Sequence, residues 1–312
     1  MSWLQRLKPY RYTGESLPCA VCKSMQRSVV GTRDRYWMPL RNVLCSQCGL
    51  VFLDPMPTAD EIAAYYRDEY RQHYHGDSAP RAKALLRDER GARERVALLA
   101  PVLRKGDRVL DIGAGTGAFV AAAQQAGWSA EGIEPNQGFA AFAAAHYRVR
   151  IHPTLLEEAP IEAGSLDLVS SSHVFEHLRA PDDAFARVHG WLRPDGVFHI
   201  LVPDISDPRR TPSARFHFGH VHGFTRETLI MLALRTGFEP LPESPSQGPH
   251  LLLRRLAQPL SDWMRYPEHA ERMRQFFAEH TSWRHFTSMT PYRRFFARMR
   301  RFRRERGQLR QR

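Results

Sequence analysis

The chain has 312 residues, 43% hydrophobic and 25% charged, an ordinary globular composition that excludes disordered, collagen-like and coiled-coil chains. Its 45 basic and 33 acidic residues leave a formal charge of +12, and the stretch from Arg284 to Arg312 alone holds eleven arginines and one glutamate. The basic character therefore belongs to the C-terminal end, and the length suits one catalytic domain with a small accessory module.

The opening segment, MSWLQRLKPYRYTGESLP, has cations but no apolar core of the kind a secretory signal needs. The longest uncharged run, Ile112 to Ala130, contains four glycines and makes a poor membrane span. The chain reads as cytoplasmic, where thiols stay reduced. Residues 1–57 carry every cysteine, as Cys19-x-x-Cys22 and Cys45-x-x-Cys48 with 22 residues between the pairs. Four thiolates at that spacing can close a tetrahedral structural Zn²⁺ site; the plainer readings are four unrelated thiols or a redox pair. Residues 58–105 follow as a helical linker or cap, because DEIAAYYRDEYR and AKALLRDERGARERVALLAPVL place apolar residues three and four apart.

From Asp107 the period changes. Short apolar runs (RVLDI, AEGIE, LDLVSSS, GVFHILVP) alternate with helix-length segments, which predicts a mostly parallel α/β sheet over residues 106–257. A helix over TRETLIMLALRTG, stopped by Gly237, and a last strand at HLLLRRL complete that region. Residues 258–312 form a basic helical extension. The strongest chemical signal is the strand-to-helix turn Asp111-Ile-Gly113-Ala-Gly115-Thr-Gly117, where glycines let the backbone turn sharply and a ligand approach closely. Its G-x-G-x-G spacing differs from the G-x-G-x-x-G of dinucleotide binders. Asp111 lies inside the strand, where an acid suits a cationic ligand group, and Glu134 ends the next strand, where a carboxylate can accept two ribose hydroxyls.

These residues, with SLDLVSSSHVFEHL and LRPDGVFHILVPD, resemble the class I S-adenosylmethionine-dependent methyltransferases, a resemblance that implies a Rossmann-like, doubly wound sheet. The N-terminal CAVC…CSQCGLVFLDPMPTADEIAAYY looks like the zinc-binding module that precedes this domain in some bacterial enzymes of polysaccharide and natural-product assembly. By that resemblance Asp111, Gly113, Gly115 and Gly117 hold the methionine end of the cofactor and Glu134 the ribose. Leu156 and Glu157 supply the adenine contact, and Ser171 joins the cofactor-binding set at the end of the fourth strand.

Methyl transfer from a sulfonium asks the protein mainly to align the acceptor and take its proton. A helix starting near His173 would bring His173, Glu176 and His177 onto one face at i, i+3 and i+4. That cluster suits a base with its orienting acid, a divalent ion, or a structural floor under the cofactor, since the E-H-L part recurs among relatives with different acceptors. Downstream, His217, His220 and His222 fall within six residues; His220 matches a position where relatives commonly carry histidine before the Phe224-Thr225 helix start, as a catalytic or a loop-ordering group. Residues 58–105 and the 205–225 loop are expected to cover the acceptor.

In the tail, Phe295, Phe296, Met299 and Phe302 form an aromatic stripe on an arginine-covered helix. It suits an anionic membrane surface at the inner face, phosphate contacts, or packing on the domain. The expected function is methyl transfer to a small-molecule, glycan or lipid-linked acceptor. Nucleic acid is disfavoured, because SSHVFEHL stands where amino-methylating nucleic-acid enzymes carry an N-P-P-Y-type loop. A non-catalytic binding protein is the further alternative.

Overall fold

The computed structural model describes residues 10–65, 82–289, 292 and 299. Two sheets organise them. The larger has seven strands: β4 (Arg108–Ile112), β5 (Ser129–Ile133), β6 (Ile151–His152), β7 (Leu166–Ser172), β8 (Leu192–Leu201), β10 (Phe238–Pro240) and β11 (His250–Arg255), in the order β10-β11-β8-β7-β4-β5-β6. The five strands from β4 to β8 run parallel, and β11 is antiparallel between β8 and β10. Strands covered on both faces must be apolar throughout, and Val109, Leu110, Ile112, Leu168 and Val169 are all buried. This is the mostly parallel α/β sheet that the strand–helix alternation predicts, doubly wound and Rossmann-like as the family resemblance implies. The winding leaves β4 toward β5 on one side and toward β7 on the other, which opens a crevice at the carboxyl ends of β4 and β7.

The helices of this domain are α2 (Ala82–Leu99), α3 (Ala118–Gln125), α4 (Gln137–Tyr147), α5 (Pro181–Trp191) and α6 (Arg226–Arg235). In α3 the buried Ala118, Ala121 and Ala123 allow close approach to the sheet. Thr225 caps α6 by accepting from the Thr228 N–H, and Gly237 at φ +89° ends it, as expected from its composition.

The cysteine-bearing segment builds a second, antiparallel sheet from β1 (Arg27–Arg33), β2 (Pro39–Cys45) and β3 (Val51–Leu53). Its fourth strand is β9 (His222–Gly223), which comes from the loop between β8 and α6. Val21, Leu40 and Val43 share one buried cluster with Leu110 and Phe198, and Arg235 of α6 donates to the carbonyls of Ala20 and Val21. The module is thus knitted into the larger domain rather than appended to it. α1 (Ala59–Tyr65) follows β3, and α7 (His269–Glu279) and α8 (Ser282–Thr287) close the described chain.

One local expectation is corrected. No α-helix begins at His173: that residue is left-handed, at φ +60°, and only a single 3₁₀ turn, Phe175–His177, follows. The reason is that the His173 N–H still bonds the Leu201 carbonyl at 2.8 Å, so the chain must turn off the sheet before it can coil. Among the described residues no helix is long and apolar enough to cross a membrane. The aromatic stripe at Phe295, Phe296 and Phe302 lies outside the described residues; Met299 is exposed.

Candidate active site

The crevice at the carboxyl ends of β4 and β7 holds a cavity of about 560 Å³. The glycine turn forms one wall. Gly113 adopts φ +72° and Gly115 φ +52°, a region that favours glycine. A Cβ at Gly113 would stand 2.4 Å from Val174 Cγ2, whereas at Gly115 it would meet nothing nearer than 4.0 Å and would fill the space a ligand needs. Gly117, at φ +79°, is the N-cap of α3. Glu134 secures the turn: its carboxylate accepts from the N–H of Gly115 at 3.1 Å and of Asn136 at 2.9 Å. Burial raises its pKa, and those two N–H groups oppose the rise.

Asp111 is 2% exposed and also lines the cavity. Its cation partner within the protein is Arg95 of α2, whose Nη1 donates to Asp111 at 2.8 Å and to Ser170 Oγ at 3.1 Å. The Arg95 guanidinium also lies 4.3 Å from the centre of the Phe119 ring. Burial pushes the Asp111 carboxyl up, and Arg95 pulls it back. The network continues from Ser170 to His199 Nδ1 at 3.1 Å and from His199 Nε2 to His250 Nε2 at 2.9 Å. Burial, with Arg95 nearby, lowers His199 well below the usual histidine range and brings His250 down to about 4.

Not every residue assigned from the sequence reaches the cavity. Ser171 is buried with no hydrogen-bond partner for its hydroxyl; its neighbour Ser172 lines the cavity instead, as strand alternation requires. Leu156 is packed in the core, Glu157 is exposed, and neither lines the cavity; nor do Gly117 and Glu134, which act on it through the glycine turn. Conversely, Arg87, Gly91, Arg95 and Leu98 of α2 line it. Their three- and four-residue spacing is a sequence signal for one helical face, but it does not say what the face covers. His199, a lone histidine in the apolar run GVFHILVP, carried no signal beyond its oddity.

His173 lines the same cavity with a side chain 57% exposed. Behind it Glu176 is 2% exposed, with Oε1 at 3.5 Å from His173 Nδ1 and 3.6 Å from His177 Nε2. The tight turn brings the three groups together although no helix does. The His177 Nδ1–H donates to the Gly219 carbonyl at 2.5 Å, tying the turn to the loop that carries the second histidine cluster. In that loop the rings of His220 and His177 are perpendicular, with centroids 4.8 Å apart. His217 Nε2 lies 3.3 Å from the hydroxyl of Tyr65 at the end of α1, and the His222 Nδ1–H donates to the Leu178 carbonyl at 3.0 Å. Burial lowers His222 to about 4 and drives His220 far below the usual range, with the neighbouring His177 adding to the latter shift.

The four cysteines form a separate cluster. Cys19 and Cys48 sulfurs are 3.4 Å apart, Cys22 and Cys45 sulfurs 3.3 Å, and all four lie within 4.8 Å of one another. The two knuckles repeat one geometry: the Lys23 N–H bonds the Cys19 carbonyl and the Gly49 N–H the Cys45 carbonyl, with Lys23 at φ +61° and Gly49 at φ +79°. Hydrogen bonding among the sulfurs splits the cluster, pushing the Cys22 and Cys45 thiols down and the Cys19 and Cys48 thiols up.

Residues 85–243, half of the chain, match the family described as "Methyltransferase domain", and the chain belongs to that family. Its seven-stranded doubly wound sheet is the class I methyltransferase fold. No curated protein matches. Among solved structures, an S-adenosylmethionine-dependent methyltransferase from Mesorhizobium loti is 27% identical, over 38% of this chain and 56% of that one, with a TM-score of 0.34. The chain therefore spans little more than half the length of that structure. The Burkholderia thailandensis 1,6-didemethyltoxoflavin-N1-methyltransferase, solved with its acceptor and S-adenosylhomocysteine, is 26% identical over 69% of this chain and 96% of that one, with a TM-score of 0.50.

Proposed function

We propose that the protein transfers a methyl group from S-adenosylmethionine to a small-molecule, glycan or lipid-linked acceptor. The observation that carries this reading is the left-handed glycine turn beside the 560 Å³ cavity, with Asp111 buried at its base and Glu134 bonded to Gly115. Gly113 and Gly115 shape the wall for the methionine end, and Asp111, paired with Arg95 on the same cavity wall, presents a carboxylate to the ammonium. Glu134 keeps lone pairs for the ribose hydroxyls. Leu156, Glu157 and Ser171 stand outside the cavity wall, and an adenine contact from Leu156 and Glu157, or any cofactor contact from Ser171, needs movement of their segments.

The cofactor, when bound, supplies an electrophilic sulfonium methyl; the chain supplies alignment and proton removal. His173 is the group best placed to take the acceptor proton, because it is exposed in the cavity. Its left-handed backbone, of the kind that costs ~1–3 kcal/mol, directs it off the strand end. Glu176 at 3.5 Å orients the imidazole and balances its charge once protonated. His220 shapes the floor beneath them. The small-molecule acceptor of the Burkholderia enzyme supports the same class here.

The four sulfurs fit a structural Zn²⁺. A tetrahedron with Zn–S of ~2.3 Å needs sulfurs ~3.8 Å apart, and the observed pairs at 3.3–3.4 Å require only a small expansion. All four positions would be protein ligands, so the ion would hold the module and do no chemistry.

Calorimetry with S-adenosylhomocysteine and NAD⁺, on wild type and Glu134→Ala, tests the cofactor. Binding of the homocysteine analogue that weakens at least tenfold in the variant is expected. Binding of NAD⁺ alone, or of neither ligand, refutes the proposal.

A further inference from the structure

Glu176 is buried at 2% exposure, and neither carboxyl oxygen has a hydrogen-bond partner. A buried carboxylate without compensation is expensive, so this position calls for a cation. The His177 ring donates through Nδ1 to the Gly219 carbonyl, so Nε2 is the nitrogen turned toward Glu176, at 3.6 Å from Oε1, a separation that an ion bonded to both atoms can bridge.

His220 adds a third donor. One ligand atom from each of Glu176, His177 and His220 lies within 4.8 Å of the other two. Glu176 and His220 both line a cavity of about 20 Å³, room for a single water or ion. Arg210 and Arg215 line it too; the Arg215 guanidinium is turned to the Ile205 carbonyl and to His280.

We propose that Glu176, His177 and His220 hold a divalent first-row transition-metal ion. Two imidazoles and one carboxylate suit Zn²⁺ and its neighbours, whereas Mg²⁺ and Ca²⁺ prefer oxygen donors. Metal–ligand bonds of ~2.1 Å require the three donors to draw in by about 1 Å. The Gly219 carbonyl supplies the outer hydrogen bond that orients a ligating histidine. Unlike the four-cysteine cluster, three protein ligands leave a coordination position open.

The consequence for the reaction rests on the methyltransferase reading. His173 joins the two places, since it lines the cofactor cavity and lies 3.5 Å from Glu176. The ion's cavity has room for a single water or ion, so the ion acts on the reaction through Glu176, which it holds in place beside His173, and not by binding the acceptor.

The test is zinc content after dialysis of the full-length protein against Zn²⁺. Wild type is expected to carry one equivalent more than Glu176→Gln or His220→Ala. Loss of a direct ligand should weaken the site by more than the ~10–100-fold typical of an outer-shell change. Equal zinc in all three proteins overturns the proposal. If Glu176→Gln does not fold, His220→Ala decides alone, with S-adenosylhomocysteine binding as the check on its fold. A zinc difference in a wild type that binds no S-adenosylhomocysteine upholds the site and removes its role in methyl transfer.

Discussion

Replacing Arg95 with alanine isolates the interaction that ties α2 to the sheet. The change removes two hydrogen bonds from Nη1, at 2.8 Å to Asp111 and 3.1 Å to Ser170, and the guanidinium over Phe119. Asp111 stays behind in a site where its side chain is 3% exposed. Removing one partner of a buried pair costs ~3–5 kcal/mol. Arg95 is itself 20% exposed, and solvent screening places this pair at the low end, ~3 kcal/mol. For a chain of 312 residues ~3 kcal/mol corresponds to a fall in Tm of ~4–5 °C. Burial already raises Asp111 and Arg95 opposes that rise, so in the variant the folded pKa climbs further. A carboxyl raised above its unfolded value stabilises the fold below the unfolded pKa and loses that contribution as pH rises through the folded pKa. The deficit relative to wild type should therefore be largest near pH 8 and shrink toward pH 5. Scanning calorimetry of the ligand-free protein at both pH values measures it, and Arg95→Ala/Asp111→Asn should recover half or more of the loss. A deficit under ~1 kcal/mol, or one that is the same at both pH values and untouched by the second change, would show that Arg95 is not what compensates Asp111.

Three further outcomes follow from the geometry. Gly113→Ala places a Cβ 2.4 Å from Val174 at φ +72°; strain of ~1–3 kcal/mol should distort the turn and abolish S-adenosylhomocysteine binding in calorimetry while the far-ultraviolet circular dichroism stays native. Cys45→Ser should release zinc and destabilise the protein by several kcal/mol, because β9 couples the module's sheet to the loop above the histidines; full thermal stability after chelation would remove the structural-zinc reading. His222, lowered by burial from 6.5 to about 4, stays unprotonated in the folded state where the unfolded chain takes up a proton. Stability should thus fall as pH drops from 6.5 toward 4, and His222→Gln should flatten that slope; an unchanged slope in urea titrations would locate the acid sensitivity elsewhere.

Much of this protein was legible along the chain because the signals are local. The strand–helix alternation predicts the mostly parallel α/β sheet, since each apolar run needs only its own period to declare a buried strand. Asp111, Gly113, Gly115 and Gly117 declare the turn because left-handed backbone and close approach select glycine one residue at a time. The cysteine pairs declare a cluster, and their sulfurs do meet. What the tertiary structure alone decided are meetings between distant segments. Arg95 reads in sequence as one more cation on a helix, and only the packing of α2 against the strand ends makes it the partner of Asp111. His222 and Gly223 read as loop, and become a strand because β3 offers an open edge. Glu176, His177 and His220 converge through a 3₁₀ turn and a loop 43 residues downstream; the spacing rule grouped Glu176 and His177 with His173 but could not bring His220 to them. Periodicity encodes which face of an element is buried, but not which other element buries it; that is settled by strand order and by where each crossover returns to the sheet.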